Sequence, residues 1–248
     1  MAEPAHPATY PPLDQPKPVA EGLWIVDSGP LRVLGLPLPV RMTVLRLRDG
    51  GLWLHSPTRH TDALQRALQE IGPIHHLVAP NIAHWSFLQA WQRHCPEARI
   101  WAAPELRRRR AVRKSRLRLD HDLAGAAPEP WAGEIEQRVV PGAGGFREVA
   151  FFHQPSRSLL LTDLVQNLEP GKLPPLVRPL ARLAGVMAPE GGTPAYLRAL
   201  LRLRRREAAE AARQMLAWQP ERVIFAHGAW FERDGTAALR RALSWLLR

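Results

Sequence analysis

With a single cysteine, Cys95, the chain of 248 residues has no internal disulfide framework, and redox chemistry at that thiol has no resolving partner. Lysine is nearly missing as well: only Lys17, Lys114 and Lys172 stand among 34 basic residues, the other 31 being arginine. Tyrosine occurs twice against nine tryptophans, and the tryptophans are scattered from Trp24 to Trp245 instead of clustering as a base-stacking platform would. No apolar run approaches the ~18 residues that a membrane span needs. The best stretch, 173–188, is broken by Pro174, Pro175, Arg178, Pro179 and Arg182. The first 22 residues are polar and proline-rich, without a basic start leading into an apolar run. No secretory signal is therefore expected, and the cytoplasm is the simplest location.

What is present is the composition of a globular protein, 46% hydrophobic and 23% charged, in a chain long enough to bury a sizeable core. The net charge of +11 raises the question of an anionic partner. Arginine, alanine, proline and leucine are all abundant together, however, which is the mark of a GC-rich coding bias on solvated faces. The charge concentrates at 105–118 (ELRRRRAVRKSRLR), a segment able to touch phosphates. A solvated insert along one edge accounts for it, and no sequence-specific nucleic-acid binding is expected.

Residues 1–20 carry six of the 25 prolines and no hydrophobic period, and are expected as an extended leader ahead of one domain over 21–248. Short apolar runs predict strands at 22–26, 42–47 and 51–55, the last two joined by the Asp49-Gly50-Gly51 turn. Leu64, Leu68 and Ile71 at helical spacing predict a helix over 61–71. A strand at 74–79, a helix at 84–94 with Phe87, Leu88 and Trp91 on one face, and a strand at 98–102 follow. The second half repeats the mode with strands at 136–140, 148–153 and 158–162 and a proline-rich connection over 169–192. A long helix spans 195–216, with Leu200, Leu203, Ala211, Met215 and Trp218 as its buried positions, before a strand at 222–226 and a closing helix at 236–247. Strands alternating with helices give an α/β class, and two β-rich halves each finished by helices fit a four-layer αββα sandwich.

In such architectures reactive side chains collect where strands end, held by a rigid sheet yet facing a crevice. Three exits carry ligand types suited to zinc, iron or manganese: the loop after 74–79 offers His84, the run 158–162 delivers Asp163, and 222–226 delivers His227 with Gly228 behind it. Each alone reads as a cap or loop hydrogen-bonder; three at the ends of successive apolar runs point to a cluster. His55 and His60, beside another strand exit, are the next candidates. Of His75 and His76 at most one can face the core, and His153 reads as a turn residue.

The segments RMTVLRLRDGGLWLHSPT (41–58), HHLVAPNIAH (75–84), EVAFFHQPSRSLLLTDLVQNL (148–168) and FAHG (225–228) resemble a bacterial domain-of-unknown-function family, number 4336, of the metallo-β-lactamase fold. The resemblance covers residues 21–247 and implies the αββα sandwich. Residue by residue, it implies that His84 matches the last histidine of the superfamily's His-x-His-x-Asp-His motif, Asp163 the metal-bridging aspartate and His227 the terminal histidine. The chain departs from the pattern elsewhere. Residues 79–85 read Ala-Pro-Asn-Ile-Ala-His-Trp, without the first two histidines or the aspartate, and no histidine stands at 144–147, just ahead of the strand at 148–153. Two-metal hydrolysis needs ions ~3.5–4 Å apart, so the resemblance implies one zinc, iron or manganese ion at most. The leading expectation is a non-classical or non-catalytic member with most metal ligands lost. The alternative is a mononuclear hydrolase of a small molecule using His84, Asp163 and His227; a weak anion or nucleic-acid binder through 105–118 comes third.

Overall fold

The computed structural model describes residues 6–33 and 36–248, so residues 1–5 of the expected leader lie outside the described residues. The first sheet runs β1 (Lys17–Ala20), β2 (Leu23–Val33), β3 (Leu36–Arg46), β4 (Leu52–His55), β5 (Ile74–Ala79), β6 (Arg99–Ala102) and β7 (His121–Asp122), side by side in chain order. It begins antiparallel and turns parallel from β4 onward, because α1 (Asp62–Gln69) and α2 (Leu88–His94) supply the crossovers that parallel neighbours require. The second sheet has the order β11-β10-β9-β8, built from β8 (Ile135–Pro141), β9 (Arg147–His153), β10 (Ser158–Leu160) and β11 (Arg222–Ile224). Between β10 and β11 run α4 (Arg178–Leu183), α5 (Ala195–Arg202) and α6 (Arg205–Ala217), and α7 (Gly235–Ala242) and α8 (Ser244–Leu247) close the chain; α3 (Arg110–Lys114) lies in the basic insert.

Strand side chains alternate between faces, and here each face is buried against something different. Leu52 and Leu54 of β4, Leu77 and Ala79 of β5 and Ile100 of β6 point to α1 and α2, where Leu64, Leu68, Leu88 and Trp91 meet them. The intervening Trp53, Val78 and Trp101 point the other way and pack on Trp131, Ile135, Val149, Phe151, Leu160 and Ile224 between the sheets. From the second sheet, Ala150, Phe152, Leu159 and Val223 face Ala208, Ala211, Met215, Leu239 and Leu246 of the C-terminal helices. These three interfaces are those of a four-layer αββα sandwich, and burial on both faces explains why its strands read as continuous apolar runs.

The elements differ from expectation where side chains override periodicity. The helix expected over 84–94 starts at Leu88, because the Asn81 carboxamide oxygen accepts from the Ala83 and His84 amides at 2.7 and 2.9 Å and holds that stretch in a turn. The helix expected over 195–216 is two helices broken at Leu203-Arg204, and Leu203, expected inside, is 74% exposed at the break. β3 starts six residues before the predicted strand, since it continues a long hairpin with β2 whose irregularity between Ser28 and Leu31 accommodates Pro30, which has no N–H to donate. The leader ends in β1, and Ala8 and Thr9 are buried. In the basic insert Leu106 and Val112 are buried, and Arg107, Arg108 and Arg118 pair with Asp122, Glu105 and Asp120. Among the described residues no helix is long and apolar enough to cross a membrane.

Candidate metal centre

β5, β10 and β11 end at the same edge of the sandwich, and the side chains that leave them meet there. His84 Nε2 lies 3.4 Å from Asp163 Oδ2, and His227 Nε2 lies 3.2 Å from Asp163 Oδ1. The two imidazole centroids are 5.3 Å apart, and one ligand atom from each of the three residues falls within 4.8 Å of the others. The structure therefore brings together all three candidate residues. His55 does not join them: it is buried beside Trp53 and Phe151, where burial first, and the charge of His84 second, push its pKa down to about 3. His60 lies on the α1–α2 side, His76 is buried with Trp101, and His153, expected as a turn residue, is the buried end of β9 with Nδ1 2.7 Å from Ser156 Oγ.

Each ring is held from behind. His227 Nδ1 is 2.8 Å from the Pro39 carbonyl oxygen. A carbonyl only accepts, so Nδ1 donates to Pro39, and this fixes the ring with Nε2 turned toward the Asp163 carboxylate. Arg41, buried in the first sheet, donates to the carbonyls of Phe225 and Gly228 at 3.1 and 2.8 Å and so pins both sides of His227. Gly228 is required there: at φ +96° an added Cβ would stand 2.2 Å from the Asn167 carbonyl oxygen. His84 Nδ1 is 2.6 Å from the hydroxyl of Ser56, a buried residue in the left-handed region (φ 54°) at the end of β4.

Next to these three residues lies a buried network that sequence reasoning missed. Glu148, at the start of β9 and fully buried, accepts from the backbone N–H groups of Thr162, Asp163 and Leu164 at 2.8, 2.9 and 3.1 Å. Asn81, also fully buried, donates to Asp163 Oδ2 at 2.7 Å and to Thr162 Oγ1 at 2.9 Å. A carboxylate heading an otherwise apolar run (EVAFF) was the available signal for Glu148. Burial, and then the charge of Asp163, raise the Glu148 carboxyl above its ordinary value against the backbone donors. Burial also pushes Asp163 up, but the adjacent His84 and the hydrogen bonds from both histidines outweigh it and hold that carboxyl well below the usual carboxylate range. For His84, burial pushes down and the Asp163 carboxylate pushes up, with a net rise.

The three residues open into a cavity of about 200 Å³ whose walls include Leu31, Leu38, Val40, Phe87 and Tyr196, with Ser56 and Gln166 as further polar groups. The donor set fits a metal ion. Two imidazole nitrogens and a carboxylate are a catalytic zinc-type set, and one ligand atom from each of the three residues lies within 4.8 Å of the others.

Solved structures share this architecture. A metallo-β-lactamase from Pontibacter korlensis matches with a TM-score of 0.58 at 16% identity, over 94% of this chain and 98% of that one. The metallo-β-lactamase FIM-1 from Pseudomonas aeruginosa in its mono-zinc form matches with a TM-score of 0.58 at 13% identity, covering 94% of each chain. The rubredoxin oxygen:oxidoreductase from Desulfovibrio gigas matches with a TM-score of 0.65 at 12% identity, over 94% of this chain and 61% of that one. At these identities the likeness is one of fold. No curated protein matches the sequence. The family model described as Domain of unknown function (DUF4336) matches residues 21–190, more than half of the chain. The protein thus belongs to the DUF4336 family and has a metallo-β-lactamase-like fold.

Proposed function

We propose that the protein is a mononuclear metal-dependent hydrolase of a small molecule, with one divalent ion, zinc in the first instance, held by His84, Asp163 and His227. One observation carries this reading. The hydrogen bond from His227 Nδ1 to Pro39 turns Nε2 toward the Asp163 carboxylate at 3.2 Å, and His84 Nε2 reaches the same carboxylate at 3.4 Å, so three ligand types converge on one point where a cation can replace the protons between them. When bound, such an ion supplies Lewis-acid polarisation of a substrate oxygen and an acidified water. The residues around it do the rest: Pro39 and Ser56 fix the two rings, Asn81 orients the Asp163 carboxylate, and Leu38, Val40 and Phe87 exclude bulk water. Beside this ion, among the described residues, the neighbouring Asn81 and Glu148 are fully buried with their polar atoms committed to Thr162, Asp163 and Leu164, which favours a single ion in the pocket. The mono-zinc form in which the fold-sharing FIM-1 was solved supports a reading with one ion.

The test is hydrolysis of a panel of chromogenic esters, phosphodiesters and lactams by protein stripped with chelator and then given one equivalent of Zn²⁺. Turnover that appears only with the ion and vanishes in His227→Ala supports the reading. Protein that takes up its equivalent and turns over none of the panel favours the non-catalytic alternative, in which the retained ligands serve binding alone.

A further inference from the structure

Outside the pocket, on the face carried by α1 and α2, a second set of metal-ligating side chains converges. His60 stands in the loop before α1, Asp62 opens α1 and His94 closes α2, and one ligand atom from each lies within 4.8 Å of the others. The His60 and His94 rings stack with centroids 4.0 Å apart and planes 16° from parallel, and a shared ion is reached when the exposed His94 ring turns out of the stack to aim its in-plane lone pair. The scaffold beneath them is fixed. The buried Trp91 indole donates to the Thr58 carbonyl at 2.7 Å and meets the His60 ring edge-on at 4.9 Å. Gln65 bridges the two helices: its carboxamide nitrogen donates to the His94 carbonyl at 3.4 Å, and its carboxamide oxygen lies 2.6 Å from His60 Nε2.

That last contact bears on chemistry. With the Gln65 oxygen as acceptor, His60 Nε2 carries the proton, and Nδ1 is left with a lone pair. This is the arrangement by which an outer hydrogen bond prepares a ligating imidazole. Two imidazoles and one carboxylate suit a borderline transition ion, whereas magnesium or calcium would call for oxygen ligands. Asp62 and His94 are exposed, so water completes the coordination. We propose that His60, Asp62 and His94 form a second, exposed site for a divalent transition metal, which clips the start of α1 to the end of α2. It is independent of the pocket reading, since it shares no residue with it. Because its ligands converge only in the folded chain, the ion stabilises the fold by mass action. The loop it secures includes Pro57 and Thr58, which line the pocket.

The test is calorimetric titration of the stripped full-length chain with Zn²⁺, run on wild type, His94→Ala, Asp62→Asn and His227→Ala. Wild type should take two equivalents and His94→Ala one, Asp62→Asn should bind the exposed equivalent at least tenfold more weakly, and His227→Ala should keep that equivalent. Zn²⁺ should also raise the melting temperature of His227→Ala, and Mg²⁺ should not. The proposal is overturned if wild type and His94→Ala take up the same number of ions. If wild type takes one ion and His227→Ala none, the clip fails and the pocket reading stands. If His227→Ala takes one ion and the variant combining it with His94→Ala none, while His94→Ala alone also takes none, the pocket reading fails and the clip stands.

Discussion

Replacing Arg41 by methionine tests how the pocket is held together. Its guanidinium is 3% exposed, lies 2.7 Å from Asp27 and donates to the Phe225 and Gly228 carbonyls on either side of His227. Methionine keeps much of the volume and removes the charge. The loss is then two hydrogen bonds from a charged donor, about 1.5–3 kcal/mol each, and one of the two cations facing the buried Asp27 carboxylate. Lys17 remains on Asp27 with a partly exposed side chain, which moderates the penalty. Breaking a buried ion pair costs about 3–5 kcal/mol; with Lys17 still present we expect about 3–4 kcal/mol. For a chain of this size that lowers the melting temperature by about 10 °C. Urea unfolding followed by circular dichroism at pH 7 measures it, with an unchanged m-value as the control. Because the Arg41 contacts flank His227, Zn²⁺ affinity of the pocket should fall about 10–100-fold. Adding Asp27→Leu should recover at least half of the stability, since it removes the stranded charge and lets Lys17 turn to solvent. A loss under about 1 kcal/mol for Arg41→Met, or a further loss in the double variant, would refute the reasoning.

Three further outcomes are expected. Burial pushes the pKa of His55 down to about 3 and those of His76 and His153 down to about 4. Below pH ~6.5 the unfolded chain therefore binds protons that the folded chain refuses, and stability falls by about 1.4 kcal/mol per pH unit for each histidine down to about pH 4. Denaturant titrations from pH 7 to 4.5 should show this slope, and His76→Gln should lower it by one histidine's share; a flat profile speaks against neutral buried rings. Glu148→Ala strands the amides of Thr162, Asp163 and Leu164 and should cost about 3–6 kcal/mol; urea unfolding showing a loss near zero would mean that water replaces the carboxylate. For nucleic acid, filter binding should find weak affinity without base preference that collapses between 50 and 200 mM salt. Tight, sequence-selective retention at physiological salt would reverse that expectation.

Two of the strand exits were legible in the sequence because a doubly buried apolar run ends at a ligand-type residue, LLLT before Asp163 and RVIFA before His227, whereas His84 stands in the turn beyond the end of β5. Pattern reading has no access to contacts across the sandwich. Pro39 and Arg41 meet the His227 loop from more than 180 positions away in sequence, and Glu148 reaches the backbone of 162–164 through sheet pairing that no local period reveals. The turn at 82–87 escaped for a related reason: Asn81 caps two amides and cancels a helical period that Phe87, Leu88 and Trp91 otherwise satisfy. The break at Leu203 leaves no mark in a run of helix-favouring residues. His60 stands beside a strand exit, but its partner His94 belongs to another helix, and the packing of Trp91 and the Gln65 bridge bring the two together.

The proposed function rests on one ion in the pocket, held by His84, Asp163 and His227. Elemental analysis of protein purified without chelator or a metal-affinity step tests it most directly, using the His94→Ala background so that the exposed site contributes nothing. Close to one equivalent of zinc, iron or manganese is expected in that background, and none once His227→Ala is added with the fold intact by circular dichroism. Two equivalents in the His94→Ala background, or a metal content that His227→Ala leaves unchanged, would contradict it.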